Sequence, residues 1–146
     1  MSEVPSTVSI IIADDDVDDQ LMIREALEEA RVSNPIVVVS DGRELLDFLQ
    51  KEIAGGASTQ SFLILLDLNM PGMDGREALA EMKADNRLKR VPVVVLTTSD
   101  AEEDIFNTYD LGVSSFVVKP LTFDKLVEVM EKLTSYWLQV VQIPTV

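Results

Sequence analysis

The chain contains no cysteine and no histidine. Without cysteine it can form no disulfide, no thiolate metal site and no cysteine nucleophile. Without histidine it also lacks the commonest general base and the imidazole group that binds many metals. Its chemistry must therefore rely on carboxylates, hydroxyl groups, lysine and the backbone.

Basic residues are scarce: 12 lysines and arginines face 26 acidic residues, which gives a net charge of −14. This charge disfavours direct binding to nucleic acid. Hydrophobic residues make up 47% of the chain, too many for a disordered acidic tail. Because no apolar run is long enough to span a bilayer and residues 1–9 lack a signal-peptide pattern, we expect a cytoplasmic protein with no membrane contact.

Five short runs rich in β-branched residues alternate with five helix-like segments. The runs do not alternate polar with apolar residues, which is typical of strands that are covered on both faces. The pattern predicts an α/β fold with a five-stranded, doubly wound parallel sheet. We expect one domain over residues 1–146, with its core at about 8–138, a short tail at 139–146 and no output domain. The predicted strands are Val8–Ala13, Ile36–Val39, Phe62–Leu66, Val93–Leu96 and Ser115–Val118. Helix N-caps are predicted at Asp16, Asp41, Ser99 and Thr122.

Reactive side chains follow four of the predicted strands. In open α/β sheets, ligands bind outside the carboxyl ends of the strands. The residues at those ends are Asp14-Asp15-Asp16, Asp67, Thr97-Thr98 and Lys119-Pro120. We therefore expect carboxylates, a hydroxyl group and an ammonium group to converge at one crevice.

Three carboxylates in one crevice require a cation or a retained proton. Two carboxylates about 5 Å apart repel by roughly 3 kcal/mol at an effective dielectric constant near 20. Lys119 supplies one positive charge, which does not balance Asp14, Asp15 and Asp67. An all-oxygen site favours a hard divalent ion, Mg²⁺ first and Mn²⁺ as a possible substitute, and such a site is typical of phosphoryl chemistry.

Four segments of the chain resemble the signature segments of response-regulator receiver domains, which have a flavodoxin-like fold. The segments are Ile10–Asp16, Leu65–Gly75, Val94–Thr97 and Phe116–Pro120. Thr97 follows Asp67 by 30 positions and Lys119 follows Thr97 by 22, separations that also resemble those of the family. The resemblance extends from Val8 to about Leu138.

The resemblance implies that Asp67 is the phosphoacceptor. It also implies that Asp15 binds Mg²⁺ directly, that Asp14 binds it largely through water, and that Asp67 and the backbone carbonyl of Asn69 complete the protein ligands. In this view the chain is a two-component signalling protein rather than an enzyme, and it assists only its own phosphorylation and dephosphorylation.

Further roles follow from the same resemblance. Lys119 is expected to pair with Asp67 at rest and with the phosphoryl group afterwards. The peptide bond between Lys119 and Pro120 is expected to be cis. Thr97 is expected to donate its hydroxyl to the phosphoryl group, and Phe116 to act as an aromatic switch. These changes would be reported by the face formed by the fourth helix, the fifth strand and the fifth helix.

The resemblance also implies partners. The phosphodonor would be a phosphohistidine of a sensor histidine kinase. Three segments are similar to features of the stand-alone regulators that are paired with bacterial phytochromes: the insertion Gly55–Gln60, the segment Leu96–Asp104 and the apolar segment Tyr136–Val141. We expect a homodimer through the fourth helix, the fifth strand, the fifth helix and the Tyr136–Val141 end.

Two other functions remain open at this point. The chain could be a binding module that no longer uses phosphorylation, although Asp14, Asp15, Asp67, Thr97 and Lys119 are all present. It could also be a phosphatase with an aspartate nucleophile. Such enzymes typically carry a second aspartate two positions after the first, where this chain has Asn69.

Overall fold

A computed structural model of the chain describes residues 7–54, 60–98 and 101–144. Most of the Gly55–Gln60 insertion and the predicted Ser99 cap lie outside these ranges.

The strands form one parallel sheet, as predicted from the sequence. They are β1 (Thr7–Ala13), β2 (Ile36–Val39), β3 (Gln60–Leu66), β4 (Val93–Thr97) and β5 (Ser115–Val118). Their order in the sheet is β2-β1-β3-β4-β5. The chain therefore reverses its winding direction between β1 and β3, and such a reversal is where open α/β sheets bind ligands.

The helices alternate with the strands. They are α1 (Val17–Glu29), α2 (Gly42–Ala54), α3 (Gly75–Ala84), α4 (Glu102–Asp110) and α5 (Phe123–Thr134), and α5 continues into a π-helical turn at Ser135–Val140.

Side chains cap three helices where the sequence predicts it. Asp16 accepts from the backbone N–H of Asp18 and of Asp19, and Thr122 accepts from that of Lys125. Asp41 accepts from the N–H of Glu44 at 2.8 Å. The N-cap position of α4 within the described residues is Ala101, and the capping role of Ser99, which lies outside them, stays a prediction. The first turn of α4 holds three acidic residues, whose charges are favourable at a helix N-terminus.

Two hydrophobic layers cover the sheet, one on each face. Ile11 and Ala13 of β1 belong to the layer that contains the buried side chains of α2 and α3. Ile10 and Ile12 belong to the opposite layer, with those of α1 and α5. Because both faces of β1 are covered, four successive residues from Ile10 to Ala13 are fully buried. This explains why the strands read as continuous apolar runs.

The strand register places the reactive residues at one edge of the sheet. Ala13 of β1 pairs with Leu66 of β3, and the next N–H, that of Asp67, donates to the carbonyl of Ala13 at 2.9 Å. On the other side of β3, Leu66 pairs with Val95, two residues before Thr97. The ends of β1, β3 and β4 are thus level, and the residues that follow them meet.

Candidate functional site

Asp14, Asp15 and Asp67 meet where β1 and β3 end. One carboxylate oxygen from each residue lies within 4.8 Å of the other two. Asp14 and Asp67 are buried, whereas Asp15 is exposed. The structure therefore confirms that these three residues lie together, as their positions after the strands predict.

Two donors hold Oδ1 of Asp67. The hydroxyl of Thr97 donates to it at 2.9 Å, and the backbone N–H of Asn69 donates to it at 3.2 Å. Thr97 is fully buried, so its hydroxyl lies inside the protein next to the carboxylate. The sequence predicts that this hydroxyl donates a hydrogen bond to a phosphoryl oxygen. In the structure it donates to the carboxylate of Asp67.

The backbone at Asp67 is packed against the start of α3. The N–H of Gly75 donates to the carbonyl of Leu68 at 3.0 Å. A Cβ atom on Gly75 would lie 2.2 Å from the carbonyl oxygen of Asp67 and 2.8 Å from Cα of Leu68. Only glycine allows this approach, so Gly75 fixes the distance between α3 and the turn that carries Asp67.

Lys119 bridges three carboxylates. Its Nζ lies 2.7 Å from Oδ2 of Asp14, 2.9 Å from Oδ2 of Asp19 and 3.4 Å from Oδ2 of Asp67. The expected resting pair with Asp67 is thus present, but it is the longest of the three contacts. Burial lowers the pKa of Lys119, yet the hydrogen bonds to Asp14 and Asp19 and the charges of Asp14 and Asp67 together outweigh burial and raise that pKa above its usual value. Lys119 is therefore fully charged at neutral pH.

Sequence reasoning missed Asp19 as a member of this site. Asp19 lies in the first turn of α1, four positions after Asp15. Because α1 begins directly after the strand end that carries Asp14 and Asp15, its first turn starts beside the crevice, and this proximity could have placed Asp19 there.

The Lys119–Pro120 peptide bond is trans, because the structure has no cis peptide bond among the residues it describes. The prediction of a cis bond is therefore wrong. Proline permits the cis form but still favours trans by about 0.5–1 kcal/mol. The N–H of Lys119 donates to the carbonyl of Thr97 at 2.7 Å, so Lys119 continues the pairing of β5 with β4.

Burial makes the charged form of Asp14 costly. Desolvation raises the pKa of Asp14 above its usual value, and the hydrogen bonds with Lys119 and with the N–H of Asp16 only partly oppose this effect. The nearby charge of Asp67 raises that pKa further. Lys119 alone thus does not compensate for the acidic cluster.

The cluster fits a divalent cation. Three carboxylates can each offer an oxygen within a small volume, and the chain has neither the histidine nor the cysteine that softer metals prefer. Such a donor set suits Mg²⁺ or Mn²⁺. Asn69 lies in the same turn, and the role of its backbone carbonyl as a ligand stays a prediction.

Phe116 is half-buried in the edge strand β5. Its ring packs against the hydrophobic layer that α2 and α3 cover. Its backbone N–H donates to the hydroxyl of Tyr109 on α4 at 3.1 Å. The residue predicted as the switch is thus hydrogen-bonded to α4, a contact that the sequence did not reveal.

Arg76 joins the turn after β3 to α4. Its Nε and Nη2 donate to the two oxygens of Asp104 at 2.7 and 2.8 Å. Its Nη1 and Nη2 also lie 3.5 Å from Oδ1 of Asn69. The ion pair raises the pKa of Arg76. Arg76 therefore contacts both the turn that carries the reactive carboxylate and the first turn of α4.

The side of the molecule formed by α4, β5 and the start of α5 carries exposed apolar side chains. Phe106 is 70% exposed and Leu121 is 100% exposed. Tyr109, Val118 and Tyr136 are also exposed. Trp137, in contrast, is half-buried and packs against the hydrophobic layer beside α1 and α5. We call Phe106, Tyr109, Val118 and Leu121 the α4–β5 apolar face.

Within the described part of the chain, no helix is both long enough and apolar enough to cross a membrane.

Comparison with known proteins places these features in one family. Residues 10–131 match the response regulator receiver domain. The response regulator Rcp1 of a Synechocystis species is 37% identical over 135 residues, 92% of each chain. The crystal structure of the phosphorylated cyanobacterial phytochrome response regulator RcpA superposes with a TM-score of 0.84 at 40% identity, over 94% of this chain and 99% of that one. The Mn²⁺-bound form of Rcp1 superposes with a TM-score of 0.80 at 36% identity, over 93% and 98%.

Proposed function

The chain belongs to the response regulator receiver family, and on that premise we propose that it is a signalling switch whose phosphoacceptor is Asp67. The observation that carries the proposal is the convergence of Asp67 with Asp14, Asp15, Thr97 and Lys119 in one pocket. A binding module independent of phosphorylation would need none of these contacts. A phosphatase is disfavoured because Asn69 cannot act as the second acid.

Asp67 is the nucleophile in this proposal. One of its carboxylate oxygens forms a bond to phosphorus, while the bond between phosphorus and the donor breaks and its electron pair stays with the donor. Thr97 and the N–H of Asn69 orient the carboxylate through Oδ1. Lys119 lies within 3.4 Å of Oδ2 and can move onto a phosphoryl oxygen.

Asp14, Asp15 and Asp67, with the backbone carbonyl of Asn69, would hold the divalent ion. When bound, a Mg²⁺ ion supplies positive charge for the phosphoryl oxygens. We propose Mg²⁺ as the ion in the cell. The relative Rcp1 has a structure with Mn²⁺ bound, which supports the binding of a divalent ion by this chain.

The acceptor pocket is connected to α4 by two routes. Thr97 touches the acceptor, and Phe116 lies in the neighbouring strand with its N–H bonded to Tyr109 of α4. Arg76 links the turn after Asp67 to Asp104 of α4. In our proposal, Thr97 moves toward the phosphoryl group, Phe116 turns inward, and α4 shifts with them.

The phosphoryl test uses Mg²⁺ with acetyl phosphate as the phosphodonor, while beryllofluoride, which mimics a phosphoryl group without transferring one, is kept for the conformational tests. We expect intact-mass spectrometry to find one phosphoryl group on the wild type and none on Asp67→Asn. The control Asp47→Asn, which removes an exposed acid from α2, should be modified like the wild type. Lack of modification in the wild type, or equal modification of Asp67→Asn, would contradict the proposal.

We propose a sensor histidine kinase of the phytochrome type as the phosphodonor, in the cytoplasm. The similarity to RcpA, described as a cyanobacterial phytochrome response regulator, supports this partner. The test is transfer of labelled phosphate from a phosphorylated phytochrome-type kinase. Label should leave the kinase and appear on the wild type but not on Asp67→Asn, and transfer no faster than from an unrelated histidine kinase would count against this partner.

We also propose a homodimer through the α4–β5 apolar face and Tyr136. Exposed apolar side chains on this face would be covered by the same face of a second copy. The apolar side chains rather than charge would carry this contact, because α4 holds four acids and α5 holds three acids beside its two lysines.

The dimer test compares Phe106→Asp with Leu21→Asp by light scattering, with and without beryllofluoride. Both residues are exposed apolar side chains, but Leu21 lies on α1, outside the proposed contact. We expect Phe106→Asp to reduce the mass to that of a monomer and Leu21→Asp to leave it dimeric. A wild type that is monomeric under both conditions would refute the dimer. Trp137 is a poor probe, since its truncation would also disturb the core.

A further inference from the structure

The ammonium group of Lys119 has no donor left over for a phosphoryl group. A lysine ammonium group offers three hydrogen atoms. Lys119 directs them to Asp14, Asp19 and Asp67 at 2.7, 2.9 and 3.4 Å. A phosphoryl oxygen can therefore be bound by Lys119 only after one of these contacts has opened.

The three carboxylates differ in how easily they can move away from Lys119. The side chains of Asp14 and Asp67 are 2% and 10% exposed, and both belong to the acidic cluster that fits a cation. The side chain of Asp19 is 37% exposed and is not part of that cluster. Asp19 can turn into water at small cost, because exposed carboxylates are well hydrated.

We propose that Asp19 is a positioning residue that holds Lys119 away from Asp67 at rest and releases it when a phosphoryl group arrives. The inference rests on the proposed function of Asp67. The contact of Asp19 with Lys119 explains why the contact between Lys119 and Asp67 is the longest of the three. Asp19 thus opposes phosphorylation, and its strength as a partner of Lys119 sets how readily the site accepts a phosphoryl group.

The test measures the initial rate of phosphorylation by acetyl phosphate at saturating Mg²⁺, using intact-mass spectrometry. Asp19→Asn keeps the shape of the side chain but weakens its hold on Lys119. We expect its rate to exceed that of the wild type by about two- to fivefold, the range that a partly exposed ion pair can supply.

The matched control is Asp18→Asn. Asp18 is an exposed acid in the same turn of α1, and it is not one of the three carboxylates that surround Lys119. Asp18→Asn removes the same charge near the pocket, so it measures the effect of the general electric field. Asp19→Glu should return the rate toward that of the wild type, because a carboxylate is again available to Lys119.

The possible results separate the proposals. Equal rates for Asp19→Asn and Asp18→Asn, or a slower rate for Asp19→Asn, would overturn the role of Asp19 while Asp67 remained the acceptor. A wild type that is not phosphorylated at all would overturn the proposed function itself. Asp19→Ser is a second variant in case Asp19→Asn lowers the thermal unfolding midpoint, and the same increase in rate is expected of it.

Discussion

The hydroxyl of Thr97 donates a 2.9 Å hydrogen bond to Oδ1 of Asp67 in the protein interior. Asp67 directly follows β3, Thr97 is the last residue of the neighbouring strand β4, and the two residues are 30 positions apart in sequence. The bond ties the reactive carboxylate to the end of β4, and β4 pairs directly with the strand that carries Phe116. A change at Asp67 therefore reaches β5 through one side chain.

Replacement of Thr97 by valine is expected to uncouple phosphorylation from the change in β5 and α4. Valine keeps the shape of threonine but cannot donate to a phosphoryl oxygen. A hydrogen bond to a charged group contributes about 1.5–3 kcal/mol, enough to suppress the active state at least tenfold. Hydrogen exchange of β5 and α4, measured before and after beryllofluoride, should change in the wild type and in Thr97→Ser. An equal change in Thr97→Val would contradict the role of the hydroxyl.

Gly75→Ala should be far more harmful than Gly72→Ala. The new Cβ at position 75 would meet backbone atoms of Asp67 and Leu68, which cannot turn away. We expect a loss of about 1–3 kcal/mol or more in the free energy of unfolding, together with slower phosphorylation. At Gly72, with a φ of +66°, no atom lies within 4 Å, and the cost is that of a left-handed backbone, about 1 kcal/mol. Urea unfolding of the two variants measures both losses, and equal losses would contradict the packing argument.

Loss of the Arg76–Asp104 ion pair should loosen α4. Thr108 is the one buried residue of α4, so polar contacts are important in holding this helix. In Arg76→Met, hydrogen exchange of α4 should become faster, while the free energy of unfolding falls by no more than about 1 kcal/mol because Arg76 is partly exposed. Lys125→Met, which removes an exposed pair with Glu128, is the control. Unchanged exchange in α4 of Arg76→Met would show that the ion pair does not hold the helix.

The raised pKa of Asp14 predicts how stability depends on pH when no divalent ion is bound. The folded protein holds the proton of Asp14 more tightly than the unfolded chain does. The ordinary pKa of Asp14 is 3.8. As the pH rises from that value through the raised pKa of the folded protein, the contribution of Asp14 to stability therefore falls. Above that window, Asp14→Asn should be more stable than the wild type, by a few degrees in the unfolding midpoint. Asp47→Asn controls for the loss of one acid.

Addition of Mg²⁺ should reverse this order. A ligand that binds only the folded state raises its stability, and the wild type keeps all three carboxylates that fit the ion. At neutral pH the unfolding midpoint of the wild type should rise with Mg²⁺ concentration, and that of Asp14→Asn should rise much less. If both proteins respond alike, Asp14 is not part of the ion site.

The sequence was sufficient to predict the sheet and the residues that follow its strands. Buried parallel strands leave continuous apolar runs, and the side chains beyond their carboxyl ends share one edge. Asp14, Asp67, Thr97 and Lys119 were found in this way. Asp19, Arg76 and Tyr109 were not, because each lies on a helix and acts through the reach of its side chain. Such contacts depend on how a helix is rotated against the sheet, which the hydrophobic pattern defines only coarsely.

The site draws on the ends of four strands, and the contact between Lys119 and Asp14 joins residues 105 positions apart. During synthesis the chain cannot assemble this pocket until β5 has left the ribosome and joined the sheet. A nascent or partly unfolded chain therefore presents Asp67 without its ammonium partner. The proposed uptake of a phosphoryl group thus requires the native fold, and chains that have not finished folding would take no part in it.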